Sequence, residues 1–425
     1  MQFPVWEIPW VGAELPRALV GHALALAAHV VAGSSLLMVL LEHRAQREGN
    51  QPLLSFLQNW SRFGLFMTAI LGAGLAAGLW FVVAVTQPWA AFALARVLFW
   101  VWGIVWVLGA VALAGTLLYY SGWGVTPPGH HLAAGWIVAG AAWLGLFTLT
   151  GIQAFLLDPA GWLKSGELSD GFFNPAFNPA LLMHTGLALG LGGLFLLVAA
   201  TEAEPLRLRG ILVRAGASFA CLGFLGLPAG AGWEAAVLPA TAREALRSCA
   251  GPVDIVFWGG IAVSCLLAAF AAAGPLTRPE GAARPQALLM LALGLGVAVA
   301  FGWTWQAARG PHVAAGWLEA NGLQPGEIHT LRAEGFLANA RWATVKTTAD
   351  AGRAGGELFR LQCAACHTLT GHRGLLALVR GWDQETLVRH LDHLPSLRGA
   401  MPPFAGSAEE RRALARWLVA QGAAR

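Results

Sequence analysis

The sequence predicts an all-α protein: a polytopic membrane helix bundle of about eight spans, followed by a small all-α domain. Three observations point there. Of the 425 residues, 56% are hydrophobic and 12% are charged, about half the charge of a soluble domain. Apolar runs near the length of a membrane span recur until residue 306 and then stop. Beyond residue 351, charge returns in an amphipathic helical pattern. Mean hydropathy is +0.58, which excludes a water-soluble fold built around one core.

The eight expected spans are 16–41, 63–87, 94–120, 132–156, 180–200, 211–230, 253–274 and 286–306. Each supplies roughly 20 mostly apolar residues. Small residues are frequent inside them, as suits close helix packing in lipid. Glu7 and Glu14 precede the first run, where a cleavable signal would carry positive charge, so that run is expected as a retained helix. The expected units are a helix bundle over 1–306, a linker outside the bilayer over 307–350 and a soluble domain over 351–425.

The net charge of +4 carries no basic stripe of the kind that binds nucleic acid; the location of the basic residues says more. With the N-terminus outside, the inner loops hold Arg44, Arg47, Arg62, Arg207, Arg209, Arg214, Arg278 and Arg284. The outer ones hold Lys164, Arg243 and Arg247, with Arg96 near a span end. The excess of inner arginine predicts that orientation, and an even number of spans returns the C-terminal domain to the outer side.

Five cysteines do not make a disulfide framework. Cys221 and Cys265 sit in apolar runs as small packing residues, and Cys249 stands alone in a loop. Cys363 and Cys366 differ, because they belong to Cys-Ala-Ala-Cys-His. Two thiols at that spacing add to the vinyl groups of haem, and His367 then lies under the ring as an axial ligand. A bare redox dithiol or half of a zinc site is the competing explanation, but no second such pair completes a zinc site. One covalent haem c is therefore expected.

The surroundings carry a resemblance. Gly356-Glu357-Leu358-Phe359 leads into the motif, Met401-Pro402-Pro403-Phe404 follows, and Ser407 to Leu418 closes as an amphipathic helix with Ser407 and Glu410 placed as a cap. Residues 351–425 resemble the class I cytochrome c domain. The resemblance implies Met401 as the sixth iron ligand, a closed iron and attachment of haem on the periplasmic side, in agreement with the loop charges. His372, His390 and His393 are rival ligands, expected as surface residues.

Ionisable residues inside a bilayer are costly and read as functional. The expected spans contain essentially no carboxylate but do contain His22, His29 and His184. Neutral imidazoles ligate haem iron, so one or two haems b are expected on these three. His22 and His29 are seven residues apart, two turns along one helix face, and cannot share an iron. Counted from their span starts, His22 and His184 lie at similar depths, which favours His22 as the partner of His184, with His29 as the alternative. His43, His130 and His131 are placed at loops.

A second resemblance covers about 15–320. Phe177-Asn178-Pro179-Ala180-Leu181-Leu182-Met183-His184-Thr185, Phe155-Leu156-Leu157-Asp158-Pro159-Ala160-Gly161-Trp162, Phe301-Gly302-Trp303 with Arg309 and Pro311, and Trp60-Ser61-Arg62-Phe63 resemble, in order, segments of cytochrome bd quinol oxidase subunit I. The resemblance implies His184 as a haem b ligand near the outer face. It also shows departures. Gly259 or Gly260 stands where the family has a methionine ligand, and Ala300 where it has a glutamate. Ala90–Tyr120 lacks the third-helix glutamates, and the quinol loop shrinks to 231–252, with Glu234 and Glu244 as its acids.

The sequence thus points to a membrane-bound b/c-type cytochrome, a multi-pass protein of the bacterial cytoplasmic membrane with its N-terminus and cytochrome c domain on the periplasmic side. As an electron-transfer subunit it would pass electrons between haem b and haem c. Its expected partners are other subunits of a respiratory complex and a redox protein on the outer side, with quinol also in view. The alternative is a bd-like terminal oxidase fed by cytochrome c. The missing carboxylates weigh against oxygen reduction, which needs protons delivered to a buried site.

Overall fold

The computed structural model describes residues 5–6, 8–248, 251–398 and 401–423; Glu7 and Cys249 lie outside the described residues. Among them, eight helices are long and apolar enough to cross a membrane: α1 (Glu14–Glu48), α2 (Gln51–Thr86), α3 (Phe99–Ser121), α4 (Pro128–Leu157), α5 (Phe177–Ala200), α6 (Leu206–Val237), α7 (Val253–Leu276) and α8 (Arg284–Arg309). The all-α fold class and the multi-pass bundle are as expected. Large apolar side chains point outward around it, with Trp100 79% and Ile255 74% exposed, a surface that lipid solvates.

Two helices run longer than their apolar runs. α1 continues past residue 41 to Glu48, where Gly49 ends it in a left-handed conformation. α2 starts at a cap, the Asn50 side chain accepting from the Leu53 amide at 3.1 Å. Its first turns bury Leu53, Leu57 and Trp60 on one face, so an amphipathic segment leads into the apolar one.

α5 is the central helix and packs most extensively on α6 and α1. Glycine makes this proximity feasible. A Cβ on Gly223 of α6 would lie 2.2 Å from the Gly190 amide nitrogen of α5, and one on Gly33 of α1 would lie 1.8 Å from the Ala188 carbonyl oxygen. Without a hydrophobic drive between helices in lipid, such close backbone packing is what holds them together. The Gly33–Ala188 contact also sets the register of α1 against α5, and the functional site depends on that register.

After α8, β1 (His312–Ala314) pairs antiparallel with β2 (Leu318–Glu319). The segment expected as a linker is folded. It forms α9 (Pro325–Glu334), and Leu331, Phe336, Leu337 and Ala340 join the apolar core of the C-terminal domain. That core is built on α10 (Ala351–Leu358), α11 (Gln384–Asp392) and α12 (Ala408–Ala423). The expected cap of the last helix is present: the Glu410 amide donates to Ser407 Oγ at 3.2 Å, and the Ser407 amide donates to Glu410 Oε2 at 2.8 Å. The same buried carboxylate accepts from the amides of Phe336 and Leu337 at 2.8 and 2.7 Å. One cap therefore also ties the linker to α12.

Candidate functional site

The Cys363–His367 motif lies where a π-helical turn at Phe359–Cys363 ends. The chain then folds back, the His367 amide donating to the Cys363 carbonyl at 2.9 Å. This places both thiols and His367 on one turn. His367 Nδ1 donates to the Arg373 carbonyl at 2.9 Å, which leaves Nε2 as the free nitrogen, the arrangement an axial ligand needs. Burial pushes the Cys363 thiol up to about 12, with Cys366 nearby adding to the effect. Burial likewise holds the His367 imidazole below its ordinary value, in its neutral, ligating form. Met401 is half-buried and lines a cavity of about 580 Å³ beside Pro402 and Pro403. His372 and His393 are exposed, and His390 stacks on Trp382 with centroids 4.2 Å apart.

This motif is clamped to one end of the bundle. Arg17, one turn into α1, donates to the Ala365 carbonyl at 3.2 Å and to Thr86 Oγ1 of α2 at 3.2 Å. Glu14 pairs with Arg373. The His372 amide donates to the Trp10 carbonyl at 2.6 Å, and Ala365 joins an apolar cluster with Trp89, Val313 and Leu318. The loop between the two cysteines therefore rests directly on the membrane helices.

Below that contact come the membrane histidines. His22 Nδ1 donates to the Ala18 carbonyl at 2.7 Å. Its Nε2 is buried and has no hydrogen-bond partner. Across from it, a Cβ on Gly302 of α8 would lie 2.7 Å from that nitrogen, so the glycine makes room for the ring. An orphaned buried nitrogen costs free energy, and it fits a ligand to an iron.

His29 and His184 meet each other. His29 Nε2 lies 2.9 Å from His184 Nδ1, with the rings stacked at 5.1 Å. His29 Nδ1 contacts the Ala25 carbonyl at 2.5 Å, and His184 Nε2 contacts Gln153 Oε1 at 2.7 Å. Both outer contacts are to oxygen acceptors, so each neutral ring spends its N–H there. Two lone pairs then face each other, unless the Gln153 amide is turned over to donate. Such a pair fits a shared electrophile.

The expected pairing of His22 with His184 is therefore replaced by His29 with His184. Depth counted from span starts misleads because α1 and α5 do not begin at one level. Gly33 packs on Ala188, and one turn earlier on each helix stand His29 and His184. His22 lies about 10 Å further along α1.

A second correction concerns carboxylates. Because α1 extends past the apolar run, Glu42 is fully buried within the bundle. It accepts from Tyr119 Oη, His131 Nδ1 and Gln46 Nε2, each at 2.7 Å. His131, expected at a loop, is a buried residue of α4, and its Nε2 donates to the Tyr119 carbonyl at 2.9 Å. Both of its ring nitrogens therefore face oxygens. Tyr119 also lines a small internal cavity with Ser34, Ser35, Ser61, Thr68 and Thr116. His43 and His130 are exposed, as expected of loop neighbours.

Arg17, Gln153, Tyr119 and the Glu42–His131 pair were not singled out from sequence. Arg17 and Glu42 did carry a signal, a charge on an otherwise apolar helix. Among the described residues no group of three or more His, Cys, Asp or Glu side chains gathers around one point; the sets above are one- and two-ligand arrangements.

Residues 350–418 match the family model described as cytochrome c oxidase, cbb3-type, subunit III. No curated protein matches the chain. Among solved structures the chain is similar to the bd oxidase from Geobacillus thermodenitrificans, with a TM-score of 0.56 and 14% identity, over 71% of this chain and 87% of that one. At this identity the likeness concerns the fold: the chain has the polytopic, oxidase-like membrane architecture of that protein.

Proposed function

We propose that the chain is the haem-bearing subunit of a bd-like respiratory oxidase that receives electrons through its own cytochrome c domain. One observation carries this reading: the Cys363–His367 motif sits on Arg17, five residues along α1 from the unpartnered Nε2 of His22. A redox centre in the C-terminal domain would thereby be held near a buried nitrogen that has no hydrogen-bond partner. Cys363, Cys366, His367 and Met401 would hold a covalent haem c. His29 and His184 would hold one haem b, and His22 a second haem on a single imidazole. Bound haem supplies one-electron transfer and, where one iron face is open, oxygen binding.

The chain's own groups supply the rest. Gly302 leaves the space beside His22 free of side chain. The Glu42–His131–Tyr119 cluster offers hydrogen-bonded groups able to take up and release protons, and Ser34 and Thr116 line the cavity next to it. A membrane region with this cluster meets the need for protons that the carboxylate-poor sequence left open. Partner subunits, a donor on the periplasmic side and quinol are the expected associations, with the N-terminus and the cytochrome c domain facing the periplasm.

A second reading is favoured by the His29–His184 pair. Two imidazoles can close both faces of one iron, and the chain would then relay electrons to a partner subunit without reducing oxygen. The reduced-minus-oxidised spectrum of the purified protein, with haem extraction and carbon monoxide, separates the two. Covalent haem c with an extractable haem that responds to carbon monoxide is the expected result. Covalent c with an unresponsive haem b would install the relay in its place.

A further inference from the structure

The cavity of about 580 Å³ beside Met401 has two walls. Met401, Pro402 and Leu397 come from the C-terminal domain; Pro311 and His312 follow α8, and Glu244 comes from the connection between α6 and α7. His312 opens β1, and Glu319 faces it from β2 in the paired register. Its Nδ1 donates to Glu319 Oε2 at 2.9 Å, and Glu319 is buried to 6% exposure. The hairpin itself is pinned, Gln87 of the bundle donating to the Ala320 carbonyl at 3.0 Å and the Ala320 amide to the Pro311 carbonyl at 2.7 Å. A ring held at Nδ1 by a carboxylate has its direction set and presents Nε2. Among the described residues that line the cavity, His312 is the only basic one, and it stands among carboxylates.

We infer that His312, oriented by Glu319, donates from Nε2 to a carboxylate of the haem c held by Cys363, Cys366, His367 and Met401. The hairpin that follows α8 thereby contributes a residue to the haem site of the C-terminal domain. The inference rests on the haem c reading of the motif. A haem carboxylate entering a cavity that holds Glu244 and Glu319 meets repulsion unless a donor faces it. A hydrogen bond donated to a haem carboxylate disperses its negative charge and so favours the reduced state; loss of the donor lowers the share of reduced haem at a given potential.

The experiment uses the full chain in detergent, with covalent haem assayed first and the haem c then titrated potentiometrically. In His312→Ala the reduced-to-oxidised ratio at fixed potential is expected to fall about tenfold, about 59 mV for one electron. Glu319→Gln, which keeps the ring but loosens its orientation, is expected to give a smaller fall in the same direction and serves if His312→Ala does not fold. Intact covalent haem with an unchanged ratio in both variants overturns the inference while leaving the haem c reading standing. A wild-type protein whose far-red thioether–iron band is missing, but appears in His312→Ala, makes His312 an iron ligand and also overturns it. Absence of covalent haem in the wild type removes the haem c reading and the inference with it.

Discussion

The two ends of the bundle treat their buried histidines in opposite ways. Toward the C-terminal domain, His22 Nε2 and Arg309 Nε are buried without a hydrogen-bond partner, and two imidazoles turn nitrogen toward nitrogen. At the other end, the oxygens and nitrogens of Glu42, His131 and Tyr119 partner one another. A satisfied network stabilises the fold by itself. Unsatisfied nitrogens in an otherwise well-packed helix bundle cost stability, and the natural physical reason for keeping them is a group that binds there.

Substitution can break that contrast. Glu42→Ala leaves the Tyr119 hydroxyl and His131 Nδ1 buried without their acceptor and should cost about 3 kcal/mol, read as a fall in melting temperature in detergent. His22→Ala, at the other end, should cost the haem-free protein less, because only the Nδ1 bond to the Ala18 carbonyl of its own helix is lost, while removing one extractable haem from the holoprotein. Equal melting losses in the two variants would erase the distinction between the ends.

A smaller effect sharpens the contact between domain and bundle. Arg17→Ala removes a charge-assisted hydrogen bond to the loop between Cys363 and Cys366, worth about 2 kcal/mol. On the proposed function, flash-initiated electron transfer from haem c to the membrane haem should slow several-fold in this variant, with haem content retained. An unchanged rate would show that the apolar cluster around Trp89 alone sets the docking.

The smallest effect is on acid stability. Burial acts to raise the Glu357 carboxyl, but Arg360 and the Thr344 amide outweigh it and hold the group below its ordinary value. A depressed carboxylate contributes stability that is present above its unfolded pKa and lost as pH falls through the folded one. The C-terminal domain should therefore weaken as pH drops below the normal carboxylate range, and Glu357→Gln should flatten that acid limb. Melting curves across acidic pH test it; identical acid limbs would remove Glu357 from the account.

Much of the architecture was legible in the sequence. Apolar length marked all eight helices, and the Ser407–Glu410 cap was readable from its spacing. What the sequence hid depends on register between distant segments. His29 was readable as a ligand, but its partner was not, because the Gly33–Ala188 contact that aligns α1 with α5 leaves no local signature. Glu42 lay just past the expected end of a span, and only the continuation of α1 buries it against residues 77 and 89 positions away.

The sequence by itself determined the all-α class, the membrane bundle and the Cys-Ala-Ala-Cys-His motif, because apolar run length and thiol spacing are local properties of the chain. Tertiary structure alone decided that His184 meets His29, that Glu42 meets His131, and that His312 and Met401 line one cavity. Those pairings arise where helix backbones approach at glycine and where the C-terminal domain folds back onto the bundle, and no spacing along the chain encodes them.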